Sequence, residues 1–522
     1  MTDEPSNPQV AEAPIGLAPL PLRLRDVLLL FGITLVAAVL RLSCLGEWSF
    51  WVDEAHTWRD VTMPMWRFVG DVRVWYPTSF LGLRALMDLG VLPGFSEGWL
   101  RLPFAFVGIV SVPVLALFGN AIVGRSAALL AAALLAVNPW HIYWSQNARA
   151  YVLVAFVALL ACWTFWHGQQ RRSWRWTTIG VLAALVCGSC HFSGLMLLPA
   201  FGAYWLLIRV RRHDRRMGIV LGAGAAVLLL GPHLVQLLPP FEAFRAQKAQ
   251  PSLAHMVQTT AFYFRLPLLG AAGFGVWLAL RRPIQGRLLF AACCAVLPLL
   301  GLAWLGGTIV KVTARYGICA LPAVLLLASA AAVHVAAVAR RALAPGVARG
   351  CAAAVLPLIL GLDMVAYDYL YYTVQYGDRG RWREACEVVQ AAAGNRPVLV
   401  CTSNEPTLLY YMRPNYHRGH EEATAERDAT VYGIETQWVY GTGLPEHASW
   451  NGHTYFRGVT WTARQQGREL FVVASLPELA EKDRDGTLRQ ALREQFELVQ
   501  LLPCWIGPKD ASVYVWRVRA AR

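Results

Sequence analysis

Trp48-Ser-Phe-Trp-Val-Asp-Glu-Ala-His-Thr-Trp58 directly follows an apolar run, Val27 to Leu45, that is long enough to cross a bilayer. The stretch places two adjacent carboxylates, Asp53 and Glu54, among four aromatic side chains. One interpretation is an aromatic belt at the membrane surface with solvated acids beside it. The other is a carboxylate base held at the membrane–water boundary, where a lipid-borne substrate can reach it. The rest of the chain decides between the two.

The composition is that of a protein with many membrane spans. Only 15% of the 522 residues are charged, whereas soluble globular proteins carry about 25%. A helix needs about 20 apolar residues to cross the bilayer core. Eleven candidate spans meet or approach this length, near 26–45, 101–120, 124–139, 150–167, 176–192, 194–210, 217–238, 264–281, 287–306, 316–339 and 347–371. We therefore expect a polytopic α-helical membrane protein with about eleven transmembrane helices.

The net charge of +14 by itself would be compatible with a nucleic-acid partner. However, 17 arginines fall on one alternating set of loops: Arg23, Arg25, Arg125, Arg171, Arg172, Arg175, Arg209, Arg211, Arg212, Arg215, Arg216, Arg281, Arg282, Arg287, Arg340, Arg341 and Arg349. Basic loops mark the cytoplasmic side of a membrane protein, so the charge predicts orientation and we expect no nucleic-acid partner. With the N-terminus inside and an odd number of spans, the C-terminal tail lies outside.

Three regions follow from these patterns. Residues 1–22 are rich in Pro, Ala and acid and predict a disordered cytoplasmic tail. Residues 23–372 form the transmembrane region, with a long outer loop at 46–100. Residues 373–522 predict a small extracytoplasmic α/β domain. Its expected helices are 384–393, 405–412 and 476–494, and its expected strands are 397–402, 470–475, 496–502 and 512–518.

Polar residues recur at the outer ends of the spans: Asp53, Glu54, Gln146, Arg149, Tyr151, His191, Lys311, Arg315 and Tyr316. Ionisable groups at membrane depth are costly and tend to mark function. Carboxylates together with Arg and Lys fit a base beside an anionic, phosphate-bearing ligand. The alternatives are that the arginines extend from helix ends to lipid headgroups, that His191 makes a structural hydrogen bond, and that the tyrosines are interfacial. Asp53 and Glu54 need not point the same way.

Several short motifs, in order, resemble those of the dolichyl-phosphate-mannose–protein mannosyltransferase family and its bacterial relatives, the lipid A aminoarabinose transferases among them. They are Trp51-Val-Asp-Glu-Ala55, Arg101-Leu-Pro-Phe-Ala105, Tyr143-Trp-Ser-Gln-Asn-Ala-Arg-Ala-Tyr151, His191-Phe-Ser-Gly194, and Arg315-Tyr316 with Pro322 in the following span. These families are membrane glycosyltransferases of the GT-C fold. The resemblance covers about residues 25 to 375, and the order and common sidedness of the motifs carry it.

The resemblance implies a transferase that uses a polyprenyl-phosphate-linked sugar at the outer face of the cytoplasmic membrane. The acceptor would be a hydroxyl of a lipid, a glycan or a protein. Asp53 is the implied base, and Glu54 is assigned to acceptor binding. Lys311, Arg315 and Arg149 are assigned to the donor phosphate, with Tyr151, His191 and Tyr316 as further site candidates. No cofactor and no metal ligand is assigned, and dependence on a divalent metal is left open.

Two other functional classes stay open at this point. A lipid or sugar transporter, or a flippase, would also need many spans and membrane charges, but it more often places ionisable groups near mid-membrane. A non-catalytic scaffold or sensor would use the C-terminal tail for binding and would need neither Asp53 nor Lys311.

The arginine pattern predicts that residues 46–100 and 373–522 face the outside. Single cysteines introduced into these two regions should react with a membrane-impermeant thiol reagent added to intact cells. A cysteine placed in 211–216 should react only after permeabilisation. The unaltered chain, with its 11 native cysteines, gives the background. Labelling of 211–216 from outside would contradict this topology.

Overall fold

The computed structural model describes residues 22–62, 77–94, 96–209, 252–281, 286–309, 312–412, 429–434, 452–483, 486–506 and 509–519. The tail predicted at 1–22 lies almost wholly outside these residues, as do the predicted span 217–238 and Lys311. The expectations for these segments therefore stay predictions.

Fourteen α-helices lead from the start of the described chain to residue 373. They are α1 (Leu24–Leu42), α2 (Val52–Thr62), α3 (Pro77–Asp88), α4 (Glu97–Val123), α5 (Arg125–Ala136), α6 (Pro139–Ser145), α7 (Tyr151–Gln170), α8 (Trp174–Cys190), α9 (Leu197–Arg209), α10 (Leu253–Phe264), α11 (Leu266–Arg281), α12 (Arg287–Thr308), α13 (Leu321–Ala342) and α14 (Val347–Thr373). Short 3₁₀ segments, Phe192–Met196 and Ala314–Ala320, precede α9 and α13.

Five helical segments of the described chain are long and apolar enough to cross a membrane: Glu97–Val123, Tyr151–Gln170, Arg287–Gly307, Ala314–Ala342 and Val347–Thr373. The number rises to seven if each of two bent pairs, α5 with α6 and α10 with α11, crosses as one span. The chain is thus a multi-pass helical membrane protein, but these helices do not establish the predicted total of eleven. The remaining apolar helices are shorter or, as in α1, carry several charged residues.

Two pairs of consecutive helices are bent at the ends of predicted spans. The span expected at 124–139 bends by 57° between α5 and α6. There Asn138 accepts a hydrogen bond from the backbone N–H of His141, and Pro139 opens the next helix; both features start a new helix. The span predicted at 264–281 is the continuous helix α11. A bend of 94° separates α11 from α10, at Arg265, whose φ is +65°.

The chain after residue 373 forms a five-stranded sheet with helices on both faces. Its elements are α15 (Trp382–Ala393), β1 (Val398–Thr402), α16 (Glu405–Met412), β2 (Ala429–Gly433), α17 (Gly452–Gln465), β3 (Glu469–Ser475), α18 (Leu476–Lys482), α19 (Thr487–Gln495), β4 (Phe496–Leu502), a hairpin of β5 (Trp505–Ile506) and β6 (Lys509–Asp510), and β7 (Val513–Val518). The strand order is β2-β1-β3-β7-β4, with β1 parallel to β2 and β3, and β7 antiparallel to β3 and β4.

Side-chain alternation along β1 and β3 builds the two cores of this sheet. Val400 and Phe471 pack on one face against α15 and α16. Leu399 and Val472 pack on the other face with residues of α17, α18 and α19. The strands are buried on both faces, which is typical of parallel strands covered by helices.

One predicted helix, 476–494, is two helices in the structure. The carboxylate of Asp483 accepts hydrogen bonds from the backbone N–H groups of Leu488 (2.9 Å) and Arg489 (3.1 Å). These bonds satisfy amides at the start of α19, which otherwise have no intrahelical partner. Gly486 enters the helix with φ +77°, a conformation that glycine adopts at little cost.

The segment between α1 and α2 contacts the region after α14 directly. The backbone N–H of Phe50 donates to the hydroxyl of Tyr411 at 2.8 Å, and Ser49 accepts from the backbone of Arg383 at 3.0 Å. Trp48 packs against Gly377, which has φ +63° and leaves no space for a Cβ. The start of the first long loop and the C-terminal sheet region therefore lie on the same side of the helical region.

Candidate functional site

The two acids of the opening stretch lie in the first turn of α2. Carboxylates are favoured there because the amide groups and dipole of a helix N-terminus are positive. Successive residues of an α-helix are about 100° apart around its axis, so Asp53 and Glu54 point in different directions. The structure assigns them different environments.

The Glu54 side chain has no exposed surface and is held between two arginines. Its carboxylate accepts from Nε and Nη2 of Arg101, both at 2.8 Å, and from the backbone N–H of Ala148 at 2.9 Å. Arg379 Nε lies 3.4 Å from the same group. In this structure the carboxylate is thus enclosed by protein groups and forms part of a buried ion cluster. The acceptor-binding role assigned to Glu54 from the sequence stays a prediction.

Arg101 also closes the loop that precedes α2. Its Nη1 donates to the carbonyls of Leu45 (3.0 Å) and Trp48 (2.9 Å), and its Nη2 donates to Ser49 (3.0 Å). Arg379 binds the other side of the cluster through the carbonyls of Gly377 (2.7 Å) and Gln146 (2.6 Å).

Three segments that are distant in sequence are thus tied around Glu54. Burial alone would raise the pKa of Glu54, but Arg101 and Arg379 hold it below its ordinary value. An unfolded glutamate has a pKa of about 4.3. The stabilisation by this carboxylate is therefore present above about pH 4.3 and is lost as the pH falls through the lower folded value.

Asp53 is partly accessible, with 25% of its side chain exposed. Arg149 Nη2 lies 3.9 Å from its carboxylate. Arg149 also donates to the Asp53 carbonyl and to the hydroxyl of Thr57, both at 3.3 Å. Two residues assigned to the site from sequence, Asp53 and Arg149, are therefore neighbours.

Four further candidates meet in one cluster beside this pair. The guanidinium of Arg315 lies over the rings of Tyr316 (5.3 Å) and Tyr151 (5.9 Å). The His191 ring is 4.7 Å from Tyr316 and 5.1 Å from Tyr151, and its Nδ1 bonds to the Ser193 hydroxyl at 2.8 Å. Among the described residues, Arg315 Nε has no hydrogen-bond partner.

A cavity of about 250 Å³ opens next to this cluster, between the helical region and the C-terminal sheet. Trp51 and Val52, immediately before Asp53, line it together with Arg315. Its aromatic walls are Trp51, Trp140, Tyr143, Trp144, Phe262, Tyr263, Tyr367 and Trp382. The indole N–H of Trp51 donates to Asn147 at 3.2 Å, which fixes that wall. A mostly apolar cavity with a few directed polar groups is typical of small-molecule sites.

Sequence reasoning missed several charged residues of this cavity. Arg265, at the 94° bend, forms two hydrogen bonds with Asp363 at 2.8 and 2.9 Å. Asp378 accepts from the Tyr367 hydroxyl at 3.0 Å. Burial raises the pKa of Asp378 to about 7, although the Tyr367 hydrogen bond and Arg379 lower it.

Two of the sequence motifs contain residues of the buried cluster and of the cavity wall. Arg101 opens one of them, and Tyr143 and Trp144 open another. No comparable local signal marks Arg265 or Asp378, because their partners come from other helices.

The arrangement combines a partly exposed carboxylate with two arginines and an aromatic cavity. Such a set can accept a proton and stabilise a phosphate anion. Within the described ranges, no group of three or more His, Cys, Asp or Glu side chains is placed to hold a metal ion.

Comparison with known proteins agrees with the motifs. Residues 83–235 match the family model described as dolichyl-phosphate-mannose-protein mannosyltransferase. No curated protein matches the chain significantly.

Solved structures match nearly the whole chain. ArnT from Cupriavidus metallidurans, bound to undecaprenyl phosphate, has a TM-score of 0.53 at 15% identity, over 94% of this chain and 97% of that one. The archaeal oligosaccharyltransferase AglB from Archaeoglobus fulgidus, in complex with an inhibitory peptide and a dolichol-phosphate, has a TM-score of 0.52 at 13% identity, over 94% of this chain and 74% of that one. The chain thus has the GT-C fold of membrane glycosyltransferases. The resemblance to the mannosyltransferase family and its relatives is confirmed.

The buried cluster predicts a large stability effect for Arg101→Met. Removing one partner of a buried ion pair costs about 3–5 kcal/mol, because the other charge is left without compensation. The same substitution at Arg59, whose pair with Asp60 is partly exposed, should cost about 0–1 kcal/mol. Thermal unfolding of both purified variants in detergent measures the difference. Equal melting temperatures would show that the Glu54 cluster does not hold the fold together.

Proposed function

We propose that this protein is a glycosyltransferase that moves a sugar from a polyprenyl-phosphate donor to a hydroxyl of a lipid, glycan or protein acceptor. The observation that carries the proposal is the position of Asp53. It is a partly exposed carboxylate beside Arg149, directly after two residues that line an aromatic cavity, and Arg315 lines the same cavity. The shared fold of proteins solved with undecaprenyl phosphate and with a dolichol-phosphate supports the donor class.

The chemistry fits these groups. The Asp53 carboxylate takes the proton of the acceptor hydroxyl while the hydroxyl oxygen attacks the anomeric carbon. The bond from that carbon to the phosphate oxygen breaks, and polyprenyl phosphate leaves with the electron pair. A phosphate is a good leaving group, so no strong general acid is required. Arg315, Arg149 and Lys311 would stabilise its charge, which is worth most in a site that excludes water.

The reaction would occur at the outer face of the cytoplasmic membrane, on the periplasmic side. The arginine pattern of the loops supports this orientation. Eleven spans, with residues 373–522 as an extracytoplasmic α/β domain, belong to the same proposal. The contacts between the first outer loop and the sheet region are consistent with it. The domain would cover the site and take part in substrate selection.

Asp53→Asn tests the base. The amide keeps the shape of the side chain but cannot accept the proton, so turnover should fall by on the order of 10²-fold or more. Binding of polyprenyl phosphate and the melting temperature should change little. Asp60→Asn is the matched control, because Asp60 lies on the same helix and pairs with Arg59. The assay follows release of polyprenyl phosphate from a panel of polyprenyl-phosphate sugars.

Two results would count against the proposal in different ways. If the wild-type protein moves lipid or sugar across vesicles without cleaving any donor, the protein is a transporter or flippase. If it cleaves a donor and Asp53→Asn does so equally well, transfer stands but Asp53 is not the base.

Arg315→Ala tests the phosphate site. Losing a cation that contacts the lipid phosphate should weaken donor binding about tenfold or more, since hydrogen bonds to charged groups are worth about 1.5–3 kcal/mol. Arg281→Ala is the control, because Arg281 also lies over an aromatic ring, Trp277, but does not line the cavity. Equilibrium binding of undecaprenyl phosphate compares the two. Unchanged binding in a folded Arg315→Ala protein would remove this residue from the site.

A further inference from the structure

The C-terminal sheet presents the carboxyl ends of two parallel strands to the cavity. Asn404 follows β1, Ser475 is the last residue of β3, and Glu478 lies in the helix after β3. All three line the cavity. The helix after β1 packs on one face of the sheet and the helix after β3 on the other. Adjacent strands whose connections leave on opposite faces form a crevice, and ligands of α/β sheets bind in such crevices. The Ser403 hydroxyl donates to Glu478 at 2.8 Å and joins the two loops.

Asn404 has unused hydrogen-bonding capacity at this crevice. The side chain is only 1% exposed, yet neither its amide nitrogen nor its oxygen has a partner among the described residues. Asp378, which lines the same cavity, also has one carboxylate oxygen without a partner among the described residues. Buried polar groups are rarely left unpaired, because losing their bonds to water is costly. Both groups therefore point to a ligand that carries donors and acceptors.

The other features of the cavity define the chemistry of this ligand. Its walls are largely aromatic, so the ligand needs an apolar face as well as hydroxyls, a combination found in a sugar ring. Arg315 lines the same cavity. In a polyprenyl-phosphate sugar the anomeric carbon is bonded directly to a phosphate oxygen. A donor whose phosphate contacts Arg315 must therefore place its sugar in the adjoining volume.

We propose that this crevice is the subsite for the donor's sugar ring, and that Asn404 is the residue that bonds the sugar hydroxyls. The proposal rests on the proposed function for the identity of the donor. It assigns sugar selection to the C-terminal sheet region, and phosphate binding to the helical region. Asn404 is thus a specificity-determining residue that does not contact the lipid phosphate.

Asn404→Leu tests the contact with the sugar separately from the contact with the lipid phosphate. Equilibrium binding is measured for undecaprenyl phosphate alone and for undecaprenyl phosphate carrying glucose, mannose, galactose or arabinose. At least one sugar-bearing lipid should bind the wild-type protein more tightly than undecaprenyl phosphate. Asn404→Leu should weaken binding of that lipid about tenfold and leave undecaprenyl phosphate unchanged. Arg315→Ala should weaken both.

The melting temperature distinguishes a ligand role from a structural one. An apolar side chain in place of an unpaired buried amide should leave stability unchanged or slightly higher, whereas loss of a structural bond would lower it. Thr407→Val is the matched control: its hydroxyl is also buried and has no partner in the described chain, but it does not line the cavity. It should change neither lipid's binding.

Three outcomes would overturn the proposal. The first is equal affinity of the wild-type protein for all the lipids. The second is an equal loss of affinity for undecaprenyl phosphate and for the sugar-bearing lipid in Asn404→Leu. The third is unchanged affinity for both lipids in that variant. If the sugar-dependent difference is present but no donor is cleaved, the proposed transfer fails while the sugar subsite stands.

Discussion

The buried ion cluster of Glu54 with Arg101 and Arg379 is the constraint on which the site depends. One carboxylate without exposed surface lies between two guanidinium groups, and each guanidinium also binds backbone carbonyls of a different segment. Such a cluster adds little net stability compared with apolar residues of the same shape, but it is costly to break. We infer that its main effect is to specify one arrangement of these segments.

In that arrangement the cavity lies between the helical region and the C-terminal sheet region, and each region forms part of its wall. Arg379 stands between the last long helix and the C-terminal sheet, and it holds the segment that begins α15 against the loop after α6. The helical region contributes most of the aromatic residues and Arg315, while the C-terminal sheet region contributes Trp382, Asn404, Ser475 and Glu478. A site divided in this way can bind a lipid phosphate and a sugar through separate groups.

For the adjacent acids Asp53 and Glu54, the sequence predicts a shared location but not separate roles. The sequence predicted this region as the site from the acidic pair, its aromatic surroundings and its place after the first span. The roles of the two acids could not be separated from sequence, because that depends on which direction each takes from the helix axis. Glu54 turns inward because Arg101, 47 residues later, offers a paired and desolvated site. The position of Arg149 next to Asp53 agrees with the predicted grouping, whereas Lys311 lies outside the described residues.

The sequence by itself determined the class of the chain: apolar runs separated by arginine-rich loops define a multi-pass membrane protein, and short ordered motifs identify the fold. These are local properties, since span length and side-chain polarity do not depend on distant residues. It also predicted most strands and helices of the C-terminal sheet. Only the tertiary structure decided which helices bend, which acid is buried, and that Asn404 and Asp378 share a cavity with Arg315. The reason is physical: burial and pairing arise from contacts between residues far apart in the chain.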